Sequence, residues 1–220
     1  MQGDLAYGQP GTANPDRTRS LFGQAMGVVA ITAGCFTLAA YLNRGGSSAG
    51  AQAGYIFAYA CLVAMKFTVR RTTAGAAVLL LVFGALLGLA TSPVLAYFTR
   101  TGAQILWQAG GATALFIAGF GAIGYATRRD LSALRRVSLA ALLVLIVSGI
   151  VLIFMHVSPG ALIYSALGLL IFAGLITVDF QRLRRRRNLD SGPLIAVSIF
   201  LDALNVFMVV MRFIAGGTEG

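Results

Sequence analysis

Two aspartates stand where an ionised side chain is costly. Asp179, in Thr177-Val178-Asp179-Phe180-Gln181, and Asp202, in Phe200-Leu201-Asp202-Ala203-Leu204, each interrupt a long apolar run. A charge at the middle of a membrane helix costs about 2.5 to 3.5 kcal/mol on insertion scales, so such residues mark a functional site by default. Two carboxylates held close together in a low dielectric do not both ionise cheaply; they share a proton and titrate as a unit. The chemistry on offer is therefore a pH-sensitive latch between two helices. Asn205 follows Asp202 by three residues and extends a polar stripe on its helix, a pore-lining position if the pair borders a path for ions. A structural alternative stays open, in which Asp179 pairs with Arg182 or Arg70 at the membrane surface and Asp202 makes one helix–helix hydrogen bond.

The other acidic residues are placed unremarkably. Of seven in all, Asp4, Asp16 and Glu219 lie near the chain ends, and Asp130 and Asp190 sit among arginines. Metal-site spacing is absent, because one histidine, His156, and two scattered cysteines, Cys35 and Cys61, cannot build a zinc centre. No cofactor is expected.

The elements that must carry these residues follow from composition. The chain has 220 residues, 58% hydrophobic and 11% charged, against about 25% charged in soluble domains. A hydrocarbon core about 30 Å thick needs roughly 20 apolar residues per helix. Runs of that kind, broken at Arg, Pro, Asn and Gly-Gly, occupy about 21 to 43, 51 to 69, 74 to 98, 103 to 126, 133 to 157, 160 to 181 and 193 to 214. The fold class is an all-α polytopic membrane protein, a seven-transmembrane-helix bundle over 21–214. Residues 1–20 read as a disordered cytoplasmic tail without the apolar core of a signal peptide, and 215–220 as a short C-terminal tail.

The net charge of +10 invites a nucleic-acid reading, and the positions of the basic residues decide against it. With the N-terminus in the cytoplasm, only Arg44, Arg100 and Arg212 of the 17 basic residues fall outside, as the positive-inside rule expects. The C-terminus is then outside, in what reads as a bacterial inner membrane. Arg182, Arg184, Arg185, Arg186 and Arg187 form a polybasic juxtamembrane run that attracts anionic lipid. Gly23-x-x-x-Gly27 and Gly84-x-x-x-Gly88, with Gly119, Gly121 and Gly124, put small residues on helix faces, read as packing within the bundle rather than as a dimer seam.

Gly174-Leu175-Ile176-Thr177-Val178-Asp179-Phe180-Gln181, followed by Phe200-Leu201-Asp202-Ala203-Leu204-Asn205-Val206-Phe207, resembles the C-terminal signature of the Bax-inhibitor-motif membrane proteins. Gly88-Leu89-Ala90-Thr91-Ser92-Pro93-Val94-Leu95 resembles their third span, and Thr127-Arg128-Arg129-Asp130-Leu131-Ser132 the loop after their fourth. The resemblance runs from about residue 55 to the end and implies a bundle with the last helix central, acting as a pH-sensitive calcium leak. It also implies that Asp179 and Asp202 are the proton-sensing latch and that Arg70, at the end of the second span, exchanges partners with it. Helices two and three here lack any carboxylate that could add a ligand. Calcium takes six to eight oxygens, so Asp179 and Asp202 with carbonyls and water make only a weak, transient site, suited to conduction.

Three rival readings come from other classes. Intramembrane aspartyl proteases carry Gly-x-Gly-Asp at their second aspartate, and Ile199-Phe200-Leu201-Asp202 does not; the chain is read as no enzyme. A retinal protein needs a lysine in its last helix, and the only lysine is Lys66. The third is a non-conducting interaction protein that modulates membrane-protein quality control or cell-death machinery through membrane-protein partners, with the aspartates specifying the fold. The leading expectation is the cation leak, exchanging calcium ions and protons.

Overall fold

The structure, a computed structural model, describes residues 15–68, 73–154, 161–185 and 192–217. Helix α1 spans Pro15–Leu42 and α2 spans Ser48–Thr68. A long run, Thr73–Ala126, breaks at Gly102 into two spans, α3 (Ala74–Arg100) and α4 (Gly102–Ala126). Then come α5 (Ser132–Phe154), α6 (Ala161–Arg185) and α7 (Gly192–Gly217). All seven are long and apolar enough to cross a membrane, and among the described residues there is no strand. The protein is an all-α polytopic membrane protein.

Helix starts and stops follow local chemistry. α1 begins at Pro15, six residues ahead of the apolar run, because proline is pre-organised for a first helical position. Residues 15–20, expected in the tail, are therefore helical, and residues 1–14 lie outside the described part. The Ser47 hydroxyl accepts from the Gly50 amide at 3.2 Å and caps α2. At the end of α1 the Asn43 amide donates to Ser92 Oγ at 2.9 Å, tying α1 to α3. Gly102 has φ 167° and ψ 102°, an extended conformation that interrupts the helical hydrogen bonding between α3 and α4.

Neighbouring spans run in alternating directions. Phe22, early in α1, meets Tyr125 at the end of α4 and Phe180 towards the end of α6, with ring centroids 5.5 and 6.2 Å apart. The starts of α1, α3, α5 and α7 thus share one end with the finishes of α2, α4 and α6, and that end carries most of the basic residues. α7 packs against α1, α6 and the α3–α4 run, as a central helix does. α6 is enclosed further still, and Phe172, Ile176, Phe180, Ile199, Phe200 and Val206 of these two helices are all buried in the core.

Several close helix approaches depend on glycine. A Cβ at Gly84 would lie 2.9 Å from the Thr32 carbonyl oxygen, one at Gly88 would strike the Phe36 carbonyl oxygen, and one at Gly124 would strike the Thr177 carbonyl oxygen. Lipid offers no hydrophobic force between helices, so contact of backbone with backbone supplies the packing instead. Those glycines serve contacts within the bundle. Gly23, Gly27 and Gly119 have open space where a Cβ would stand.

Candidate functional site

α6 and α7 bring the aspartates to similar depth. Asp179 lies six residues before Arg185, and Asp202 seven residues after Ile195, so each sits ~9 to 10 Å in from the basic end of its span. Both are buried, at 5% and 7% exposure. Each carboxylate lies within electrostatic range of the other, and Ser198 of α7 lies near Asp179.

Their bonding is incomplete. Asp179 Oδ1 accepts from the Arg182 guanidinium at 3.3 Å, one turn further along α6, while Asp179 Oδ2 and Asp202 Oδ2 are buried with no hydrogen-bond partner. Unpaired carboxylate oxygens in a low dielectric are unfavourable unless a proton or a cation reaches them.

The groups facing Asp179 come from three helices. They are Arg182 on α6 itself, Arg135 on α5, and Ser198 with Asp202 on α7. The pairing of Asp179 with Arg182, held open on the sequence alone, is formed. Arg70, the expected exchange partner from α2, lies outside the described residues; Lys66, in the last turn of α2, is exposed.

Asn205 does not join the site. It is exposed, and its Nδ2 donates back to the Leu201 carbonyl at 2.8 Å. A step of three residues turns a helix by about 300°, which leaves Asn205 roughly 60° away from Asp202 and here carries it outward.

Beside the aspartates, α6 holds the loop between α4 and α5. Gln181, 3% exposed, donates through Nε2 to the Thr127 carbonyl at 3.0 Å and to the Arg129 carbonyl at 2.6 Å. Arg184 donates to the carbonyls of Ala126 and Thr127, and Arg185 to those of Arg128 and Arg129. These side chains satisfy carbonyls that the end of α4 leaves without helical partners. The polybasic run, read as a lipid contact, thus spends two of its arginines on its own fold; Arg186 and Arg187 lie outside the described residues. Sequence reasoning missed this use of Gln181, whose one signal was a polar side chain close to Asp179 in an apolar helix.

In the loop itself, Asp130 accepts from the Ser132 hydroxyl at 3.0 Å and from the Ser132 amide at 3.1 Å. These bonds, with smaller help from Arg185 and Arg136, hold its carboxyl below the usual carboxylate range. Arg185 Nη1 stands 3.7 Å from the same carboxylate.

Oxygen for a metal is scarce. Among the described residues no three His, Cys, Asp or Glu side chains gather, and a cation at the aspartate pair would draw most of its ligands from water and backbone carbonyls.

The sequence has relatives among known proteins. A membrane protein of Streptococcus pyogenes serotype M3 is 29% identical over 150 residues, covering 65% of this chain and 64% of its own length. The chain thus spans a little under two thirds of that relative. A protein of Caulobacter vibrioides is 32% identical over 117 residues, 49% of this chain and 46% of its own. A BI1-like protein of Arabidopsis thaliana is 29% identical over 90 residues, 40% of this chain and 35% of its own. The family model described as inhibitor of apoptosis-promoting Bax1 matches residues 17–219, a stretch that takes in all seven spans and both buried aspartates, and the chain belongs to that family.

Proposed function

We propose that the protein is a pH-sensitive cation leak of the membrane, with calcium as its main cargo, gated by Asp179 and Asp202. The observation that carries this reading is the buried, unpartnered oxygen on each of two carboxylates within electrostatic range of one another. Protonation of the pair lets one acid donate to the other and draws α6 and α7 together; loss of the proton leaves two like charges that separate or take up a cation. Arg182 balances one charge, and Arg70 is the proposed alternate partner from the end of α2. The N-terminus lies in the cytoplasm and the C-terminus outside, in a bacterial inner membrane, with no enzymatic activity and no bound cofactor. The basic distribution supports that orientation.

The test is calcium flux into dye-loaded liposomes holding the purified chain, scanned from about pH 5 to pH 8, where a coupled carboxyl pair titrates. A graded flux is expected, and Asp202→Asn should flatten its pH dependence while keeping the shape of the site. An unaltered profile in that variant overturns the latch. No flux at any pH from folded, inserted protein favours the non-conducting interaction protein, with the aspartates as a device of the fold.

A further inference from the structure

The start of α5 and the end of α6 border an open crevice of about 270 Å³, towards the lower end of small-ligand sites. Arg135, Arg182 and Arg185 line it, with Ser132 and Gln181 beside them; Leu131 and Val178 supply apolar sides. Asp130 also borders it, but that carboxylate is already taken up by the Ser132 amide and hydroxyl and stands near Arg185. Three arginines outnumber the two carboxylates beside them, Asp130 and the Asp179 with which Arg182 pairs, which leaves the crevice net positive and suited to an anion. Arginine suits phosphate, because its planar fork of donors matches two phosphate oxygens.

We infer that this crevice binds the phosphate of an anionic phospholipid headgroup. Two features favour lipid over a free ion. The crevice lies at the basic end of the bundle, where the apolar spans begin. Along α5, on the same face as Arg135 one and three turns further on, Leu139 and Ile146 stand 45% and 50% exposed, a surface on which the acyl chains of a lipid held by its phosphate would lie. The general attraction of a polybasic run to an acidic membrane needs no such site; a crevice that joins Arg135 of one helix to Arg182 and Arg185 of another fixes one lipid at one place. One consequence rests on the leak reading above. Arg182 is shared between the crevice and Asp179, so a bound phosphate draws it away from the carboxylate and leaves Asp179 to Asp202.

The experiment uses the full chain in neutral detergent, with short-chain phosphatidylglycerol, short-chain phosphatidylcholine or inorganic phosphate added in turn. Phosphatidylglycerol should raise the thermal midpoint by about 5 °C at saturation, and the other two should leave it in place. Measured from each variant's own lipid-free midpoint, Arg135→Gln should weaken the response to phosphatidylglycerol about tenfold in concentration; Arg135→Lys should recover part of it. Arg44→Gln, at the other end of the bundle, should respond as the parent does. An equal shift with inorganic phosphate overturns the lipid in favour of a free-anion site. An equal shift with phosphatidylcholine, or a loss in Arg44→Gln as large as in Arg135→Gln, overturns the crevice. In liposomes, phosphatidylglycerol should shift the pH midpoint of flux in the parent and not in Arg135→Gln. Absence of flux throughout would remove the leak reading while the binding result still stood, so the two failures are distinguishable.

Discussion

α5 and α6 are consecutive in the chain and of similar length, yet their surroundings are opposite. In α6, 56% of the most apolar window is buried; in α5, 6% is. α6 packs against α4, α5 and α7, whereas α5 leans on α6. Ser138 is the only fully buried side chain among the described residues of α5, and it sits against Gly174 of α6. The Tyr164 hydroxyl donates to the Leu145 carbonyl at 2.6 Å and ties the same seam further along. Hydrophobicity alone does not separate the two helices, because the bilayer accepts an apolar face as readily as a protein does. The difference lies in small and polar residues: α6 has Gly174, Thr177, Asp179 and Gln181 facing other helices, and α5 has little beyond Ser138.

This contrast can be broken experimentally, and the largest effect is expected where two backbones touch. Gly124→Leu pushes a side chain into the Thr177 carbonyl, which cannot turn aside, and should cost about 3 kcal/mol or enough to prevent folding. Gly119→Leu, with open space around it, is the control; both are read from thermal unfolding in detergent. Next comes Gln181→Ala. It strips two hydrogen bonds from the loop between α4 and α5, and a loss of about 2 kcal/mol with faster amide exchange at 127–131 is expected.

Smaller effects should follow on the α5 side. A Cβ at Gly174 meets only the Ser138 hydroxyl, which can rotate, so Gly174→Ala is expected to be mild. Gly174→Val fills more of the seam and should cost about 1 kcal/mol, raising the labelling of cysteines placed along α5 without touching those on α7. Equal loosening of α7 would show that α5 is not the separable element. The smallest effect belongs to Asp130→Asn. Since the folded carboxyl titrates below its unfolded value, its contribution is present above about pH 4 and fades as pH falls through the folded value. The small gap in midpoint between parent and variant at neutral pH should therefore close in acid; a gap that widened in acid would reverse the sign.

Much of this was legible in the chain. The seven spans are visible because each must supply roughly 20 apolar residues, and the charges between them separate cleanly to one end. Asp179 and Asp202 are visible because acids in apolar helices are rare. What was not legible depends on rotation and reach. Asn205 shares a broad polar stripe with Asp202 by spacing, but sixty degrees of turn put it outside. Arg184 and Arg185 read as surface charge, and only the fold shows that their long side chains bend back over the end of α4. Arg135 carried no signal at all, since nothing in its neighbours foretells that α5 will lay it beside α6.

The single break at Gly102 has a consequence for anyone handling the protein. Between Thr73 and Ala126 the chain turns back through the bundle without any extended connection. Arg100 is the sole tryptic position in that stretch, and it lies within helix. A protease supplied at that face should leave the α3–α4 pair intact while cutting elsewhere, and an epitope tag or fused domain inserted there should be tolerated far less well than one placed at 43–47.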